Sequence, residues 1–487
     1  MVPFGPPADL PMRSVTVDRF QDGITRLSPH RDTHYETLTP RLSSQKSLTA
    51  GLPPIAAPSG QENGIKMNSK DAIPFDVESV RRDFPILSQR LLHDRPLVYL
   101  DTAATSQKPQ IVIDKVVECF QQYNSNVHRG IHQLGDRMTT ELEAAREKVQ
   151  LLLNASEVDE IVFTAGTTMS LNIVAHGWAR KFLQPGDEIL VNPMEHHANL
   201  VPWQLAAKAT GAVLKYLPLT SDGQLDLAQL DQHLTRRTRL LAVTAMSNVL
   251  GTINPIAELA RRAHAVGALI CVDGAQSVPH GNTDVRGMGI DFLAFSGHKL
   301  YAPTGVGVLY GRKELLEGMD PFLAGGHMIR EVFEQTSTWA DPPAKFEAGT
   351  CPFVEAVALG TAIDYVQGLG LERIAAYEHE LSVYAHQQLQ EIAGMTILGP
   401  AVEKKGAILS FVIDGLHSHD LSDLLDREGV AIRAGHHCTM PLHDLLGLTS
   451  SARASLAFYN TRTEVDQLVA AILAAKKVFQ RRTPRPA

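Results

Sequence analysis

The sequence predicts an α/β fold, a mainly parallel sheet with helices packed on both faces. Three observations carry this. Seven short apolar runs recur at residues 160–164, 188–191, 213–217, 240–244, 268–272, 292–295 and 306–310. Most are apolar on both faces, as strands covered on both sides must be. Amphipathic segments separated by polar turns lie between them, giving a strand–helix–strand rhythm. The 487 residues, 44% hydrophobic and 20% charged, can fill a large core and leave room for more than one domain.

Taken in order, residues 1–75 stand apart. Nine of the 28 prolines lie within residues 1–58, and no helical or strand period persists there. Such a segment buries too little apolar surface to offset its ordering entropy, so a disordered extension is expected. It reads as a spacer or as a docking tail, with apolar islands at 2–4 and 52–55 for a partner groove. A transit peptide fits less well, because Asp9, Asp18, Asp22, Asp32 and Glu36 break its acid-poor rule.

Globular patterning starts near Phe75. Over 141–153, Leu142, Ala145, Val149 and Leu152 share one helical face. A later helix is punctuated by Asn254 as its cap, Pro255 in first position, a stripe of Ile256, Leu259, Ala260 and Ala263, and Gly267 as its stop. After about residue 360 come a long helical segment, a strand at 408–413 and a helix from Ser418, which together predict a smaller α/β lobe.

Composition excludes several classes. A net charge of −8 argues against a nucleic-acid binder built on a global basic field. Four cysteines (Cys119, Cys271, Cys351, Cys438), none in a Cys-x-x-Cys pair, exclude a disulfide scaffold and a zinc ribbon and favour a reducing compartment. No run approaches 18 apolar residues and no secretory signal opens the chain, so a cytoplasmic protein without a membrane span is expected.

The chemistry lies where the apolar runs stop. One ends in Asp273, another leads into Ser296, His298 and Lys299. A simple Asp–Lys ion pair is one reading. The other is that an acid for a pyridinium nitrogen and a lysine for an aldehyde are the two groups pyridoxal 5′-phosphate requires. A lysine among apolar residues is a better nucleophile, because its charged form is disfavoured. The Thr164-to-Asn172 stretch, with Gly166, Thr167 and Thr168 before a helix, offers a phosphate cradle. Alone it is no more than a helix cap. His196 follows another strand and could stack on a cofactor ring, or sit in a surface His–His loop. Arg433 and Arg453 are candidate carboxylate clamps. A metal site from His196, His197, His436, His437 and Cys438 is disfavoured, since adjacent histidines do not readily converge on one ion. Cys271 reads as inert inside a strand, Cys119 as helical, and Cys351 as near the site without a role.

The ordered set 99–104, 126–132, 166–168, 194–197, 247–251, 273–276, 295–299, 346–350 and 433–438 resembles the class-V aminotransferase family, specifically its SUF-type (group II) cysteine desulfurases, over roughly residues 76–480. The resemblance implies a type I pyridoxal-phosphate fold. Its large domain, with a mainly parallel seven-stranded sheet, would span 101–360; its small α/β domain would join 76–100 to 361–487, the latter carrying the catalytic cysteine. It implies a homodimer with sites at the subunit interface. Lys299 would bond the cofactor and move the proton at substrate Cα; Asp273 would keep the pyridine nitrogen protonated. Asn248 and Gln276 would contact the phenolic oxygen side. His196 would stack on the ring and join in proton transfer. Thr167, Thr168, Ser296 and His298 would hold the phosphate, with Thr350 reaching across from the other subunit. His128, Arg433 and Arg453 would line the substrate site, Arg453 taking the carboxylate.

Cys438 would be the nucleophile that receives sulfur from L-cysteine as a persulfide, leaving alanine. His436, His437 and Arg433 would favour its thiolate. A sulfur-acceptor protein would follow, for iron–sulfur cluster assembly or sulfur storage. Selenocysteine lyase is the alternative activity. Ala165, Met169, the Cys351–Pro352 pair and Ala324 depart from the family's usual residues, and bear on subunit contacts rather than on the chemistry. The proline-rich extension resembles the cargo-loading tails of desulfurases packaged in encapsulin nanocompartments, which implies a shell or other docking partner for residues 1–75.

Overall fold

The computed structural model describes residues 75–128 and 130–482. The disorder and docking islands expected N-terminal to Phe75 lie outside the described residues.

Seven strands form the main sheet: β1 (Ile161–Thr164), β2 (Glu188–Val191), β3 (Val213–Tyr216), β4 (Thr238–Thr244), β5 (Leu269–Asp273), β6 (Phe292–Ser296) and β7 (Gly307–Gly311). Their spatial order is β1-β7-β6-β5-β4-β2-β3. Neighbours run parallel except at β7, which is antiparallel to both β1 and β6. Side chains alternate between two cores. Leu241 and Val243 of β4 join one core, Leu240 and Ala242 the other. A period of two with both faces apolar is what turns a continuous apolar run into a covered strand. The run at 213–217 departs from this expectation. β3 is the sheet edge, and its Val213 and Tyr216 are 46% and 39% exposed.

The helices are α1 (Gln110–Gln122), α2 (Gln133–Leu153), α3 (Thr167–Val174), α4 (Val201–Thr210), α5 (Ile256–Ala265), α6 (Phe353–Leu369) and α7 (Leu371–Gln390). The expected stripe Leu142, Ala145, Val149 and Leu152 is the buried face of α2. It packs so closely on α6 that a Cβ on Gly360 would come within 2.9 Å of the Ala145 Cβ. Burial of each large apolar side chain in these layers contributes roughly 1.5–3 kcal/mol.

Two boundary expectations need correction. Asn254 does not cap α5: its Nδ2 donates to the Thr244 carbonyl at 2.8 Å and ties the loop to the end of β4. Pro255 takes the cap position instead, and its carbonyl accepts the Leu259 N–H. The long helix expected after residue 360 is two helices, α6 and α7, broken at Gly370, whose φ of +88° suits glycine. Residue 360 itself lies inside α6.

A second, antiparallel sheet contains β8 (Met395–Ile397), β9 (Ile408–Ile413), β10 (Arg433–Gly435) and β11 (Ser451–Ser455), in the order β8-β9-β11-β10. Helices α8 (Ser418–Arg427) and α9 (Arg462–Arg482) accompany it. Val98–Tyr99 pairs in parallel with Val430–Ala431. Val98 and Leu100 accordingly share a core with Phe411, Leu421, Leu468 and Ile472. Val98 and Leu100 are thus built into the smaller lobe, whereas Val80, Phe84 and Leu87 pack in the main core. Among the described residues, no helix is long and apolar enough to cross a membrane.

Candidate active site

The carboxyl ends of the parallel strands converge with the small lobe on a cavity of about 200 Å³. Ligands bind at such strand ends in open α/β sheets, because the loops there face away from the packed core. Asp273 is the last residue of β5 and Ser296 the last of β6. Lys299 closes the short turn after β6. His196 follows β2, and Thr167 opens α3 after β1. The small lobe adds Arg433, Cys438 and Arg453.

Asp273 is 4% exposed, and its Oδ1 accepts the Ala275 N–H at 2.9 Å. Burial raises its pKa, opposed by that N–H and by Lys299. No ion pair joins Asp273 to Lys299 among the described residues; both face the cavity, which sets aside the simple ion-pair reading. Lys299 lines an open wall but has protein around its amine. Burial pulls it down to about 8 against the attraction of Asp273, and Arg453 and Arg433 pull the same way. Burial, then the Lys299 charge, holds the His196 imidazole down at about 4. Its Nδ1 accepts the Ala198 N–H at 3.0 Å, so the neutral ring carries its proton on Nε2.

The start of α3 forms a cradle. Ser296 Oγ accepts the Thr167 N–H at 2.9 Å and lies 2.7 Å from Thr167 Oγ1. Gly166 sits at φ +143°, and a Cβ on Gly307 would lie 2.4 Å from its Cα. Only glycines let the chain after β1 close on β7 here, while the first-turn Thr167 N–H is held by Ser296 Oγ. His298 stands beside the cradle, pulled down to about 4 by burial, Lys299 and Lys108.

At the opposite rim, His437 and Cys438 take φ values of +51° and +59°. Two successive non-glycine residues in the left-handed region are strained and need outside support. Asn248 Nδ2 donates to the His437 carbonyl at 2.8 Å, and the His197 N–H to the Cys438 carbonyl at 2.8 Å. The His437 Nε2 lies 3.1 Å from the Ser451 carbonyl. Burial drags this ring down to about 2. His437 is therefore neutral, so any help it gives the Cys438 thiolate does not come from a positive charge on its ring. Arg453, 2% exposed, donates from Nη1 to the Asn248 carbonyl at 3.0 Å and from Nη2 to Asp101 Oδ1 at 2.9 Å. Arg433 lies directly across the β10–β11 ladder from it. Like charges facing each other across a ladder repel unless an anion joins them.

The cavity brings together Thr167, Thr168, His196, Asn248, Asp273, Gln276, Ser296, His298, Lys299, Arg433, Cys438 and Arg453. His128 and Thr350 do not line it in this chain. His128 stacks on His327 with ring centroids 4.7 Å apart, and Thr350 is exposed after Gly349. Cys351 stays off the cavity too, and burial pushes its thiol up to about 12. Sequence reasoning missed Glu195. Fully buried beside His196, it accepts the Thr244 N–H at 2.9 Å and amide N–H groups of Asn199 and Asn192. Burial drives it up to about 8 against those donors. The signal was present: an acid just past an apolar strand, as at Asp273. Among the described residues no group of three His, Cys, Asp or Glu side chains is arranged to hold a metal ion.

What fits this cavity is set by the buried acid and the cradle at its two ends. Asp273 can hold a protonated ring nitrogen, Lys299 can bond an aldehyde, and the α3 start can receive a phosphate, as pyridoxal 5′-phosphate requires. By fold and site the protein is a pyridoxal-phosphate-dependent enzyme of the type I fold. The model of the aminotransferase class-V family matches residues 98–468, and the chain belongs to that family. It is 48% identical over 413 residues to a probable cysteine desulfurase of Halobacterium salinarum, covering 85% of this chain and all of that protein. Among solved structures it resembles the S-sulfonic acid form of a cysteine desulfurase from Escherichia coli (TM-score 0.77, 41% identity, 83% of this chain and 99% of that one). It also resembles the apo form of a cysteine desulfurase from Thermococcus onnurineus (TM-score 0.79, 35% identity, 84% and 99%).

Proposed function

We propose that the chain is an L-cysteine desulfurase that releases L-alanine and keeps the sulfur as a persulfide on Cys438. The observation that carries this is a thiol on a pinned left-handed turn, opening on the same cavity as Lys299 and two arginines. When bound, the cofactor supplies an electron sink that makes the substrate's Cα proton removable.

The chain's residues divide the remaining work. Arg453, with Arg433 beside it, takes the substrate carboxylate. Asp101 and the Asn248 carbonyl already orient its guanidinium, so little freedom is lost on binding. Lys299, with basicity lowered toward neutrality, can take and return the Cα proton near neutral pH. Asp273 fixes the proton on the ring nitrogen. Thr167, Thr168, Ser296 and His298 hold the phosphate, Asn248 and Gln276 attend the phenolic oxygen side, and the neutral His196 ring covers the cofactor face. Cys438 attacks the substrate sulfur as thiolate. The new S–S bond forms as the Cβ–S bond breaks, its electron pair stays with carbon, and protonation there leads to alanine.

The exposure of Thr350, away from its own cavity, supports a homodimer in which it reaches the other site, and His128 would be completed in the same way. For the division at residues 76–100, 101–360 and 361–487, the third core supports joining Val98 and Leu100 to the C-terminal lobe, while Val80, Phe84 and Leu87 pack in the first core. Transfer to a sulfur-acceptor protein for cluster assembly, a cytoplasmic setting, and packaging in a nanocompartment through residues 1–75 rest on the family likeness and on composition. Selenocysteine lyase activity has no separate observation in its favour.

Incubation with L-cysteine should give alanine and a 32-dalton-type mass gain (one sulfur atom, about 32 Da) on the Cys438 peptide, with neither seen for Cys438→Ala beyond background. Alanine without any sulfur on Cys438 would sink the proposal.

A further inference from the structure

Lys108 has no part in the reaction above, yet it holds the backbone that carries Lys299. Lys108 is half-buried just ahead of α1. Its Nζ donates to the His298 carbonyl at 2.8 Å and to the carbonyl and hydroxyl of Ser106. Ser106 is 2% exposed and grips the same loop on both sides of Lys299. Its N–H donates to the His298 carbonyl at 3.1 Å, and its Oγ accepts the Tyr301 N–H at 2.9 Å. Ser106 Oγ and Thr105 Oγ1 also donate to the His298 carbonyl, at 3.0 and 3.1 Å. The carbonyl just before Lys299 and the N–H two residues after it are thus bound to one short segment.

This arrangement is costly unless it has a use. A lysine side chain loses much rotamer freedom when fixed, and an ammonium withdrawn from water is unfavourable. Burial pulls the Lys108 amine down to about 7, yet it serves backbone carbonyls beside a second lysine, where an uncharged side chain would avoid any like charge. Both lysine charges oppose protonation of His298. A neutral His298 can offer one N–H to a phosphate, and its ring Nδ1 already lies 3.3 Å from Thr105 Oγ1.

We propose that Lys108 is a positioning residue: with Ser106 it clamps the turn carrying Lys299 and His298, and so sets how firmly the cofactor is held. The proposal rests on the reading of the site given above. Its test uses Lys108→Met, Lys108→Arg and Ser106→Ala. The readouts are the rate at which each holoenzyme loses the cofactor's visible absorbance on dilution, the kcat and KM for cysteine, and the thermal midpoint with and without pyridoxal 5′-phosphate.

For Lys108→Met we expect about tenfold faster cofactor loss, the size of one lost charged hydrogen bond, and a lower kcat with KM held within about twofold. Ser106→Ala should follow it, and Lys108→Arg should recover part of the loss. The midpoint gained on adding cofactor should shrink, while the cofactor-free midpoint stays near wild type. Wild-type release and kcat in Lys108→Met overturn the clamp. So does an equal drop of both midpoints with wild-type release, which is what a merely structural lysine gives. A wild-type chain that takes up no cofactor overturns the reading of the site itself, and the clamp with it.

Discussion

The cavity has a floor and a rim, and they are built differently. The floor comes from the parallel sheet: Asp273 and Ser296 end strands paired on both sides, and the helix after β1 starts against β7 through Gly166 and Gly307. The rim comes from the small lobe, where Arg433 lies on an edge strand and Cys438 on a strained turn leading to the short helix Met440–Leu445. The difference shows where each kind of chemistry is safe. Groups that must keep a fixed geometry to one ring stand where the backbone has least freedom. The thiol, which under the proposed function receives sulfur and surrenders it, stands on a left-handed turn held by hydrogen bonds from Asn248 and His197.

Substitutions should separate the two regions. The largest effect belongs to the floor. Lys299→Ala should lose the bound cofactor's characteristic absorbance and lower alanine formation by on the order of 10⁴-fold or more. Retention of that absorbance would merge floor and rim into one. At the rim, Cys438→Ala should keep the absorbance and the cofactor affinity of wild type while sulfur transfer falls by about 10²–10³-fold, read as alanine per minute. A Cys438 variant that binds cofactor poorly would break the comparison.

Acid should then act through three rings. His196 and His298 titrate near 4 and His437 near 2 in the folded chain, all below the ordinary histidine value of about 6.5. The unfolded chain therefore binds these protons first. The stability from the neutral rings is complete above about 6.5 and is lost as the pH falls toward 4. Thermal midpoints should decline over that window, and His298→Gln should flatten the decline; a flat profile in wild type would contradict it. The smallest effect concerns strain. Glycine should be preferred to alanine at position 438 by about 1 kcal/mol in denaturant titration, because only glycine adopts φ near +59° without a steric cost.

Much of this was legible in the sequence, for reasons that differ by residue. Continuous apolar runs located the covered strands, and Asp273 and Lys299 stood out because charges seldom follow such runs. β3 misled because an edge strand and a central strand share the same side chains, and only the sheet order separates them. Asn254 misled because a polar residue before a proline suits a cap, while tertiary contact with β4 claimed its amide. Glu195 was passed over amid two histidines, although it satisfies the test applied to Asp273. The Ser106–Lys108 clamp was invisible, since it joins positions some 190 residues apart.

The facing pair Arg433 and Arg453 has one further consequence. Under the proposed role of this pair as a carboxylate clamp, it would greet incoming cysteine and outgoing alanine alike, since both carry the same α-carboxylate. Discrimination between them must come from the other end of the molecule, where one has sulfur and the other a bare methyl group. Accumulated alanine should for that reason compete with fresh cysteine, and turnover in a cell would depend on how quickly alanine is drawn away.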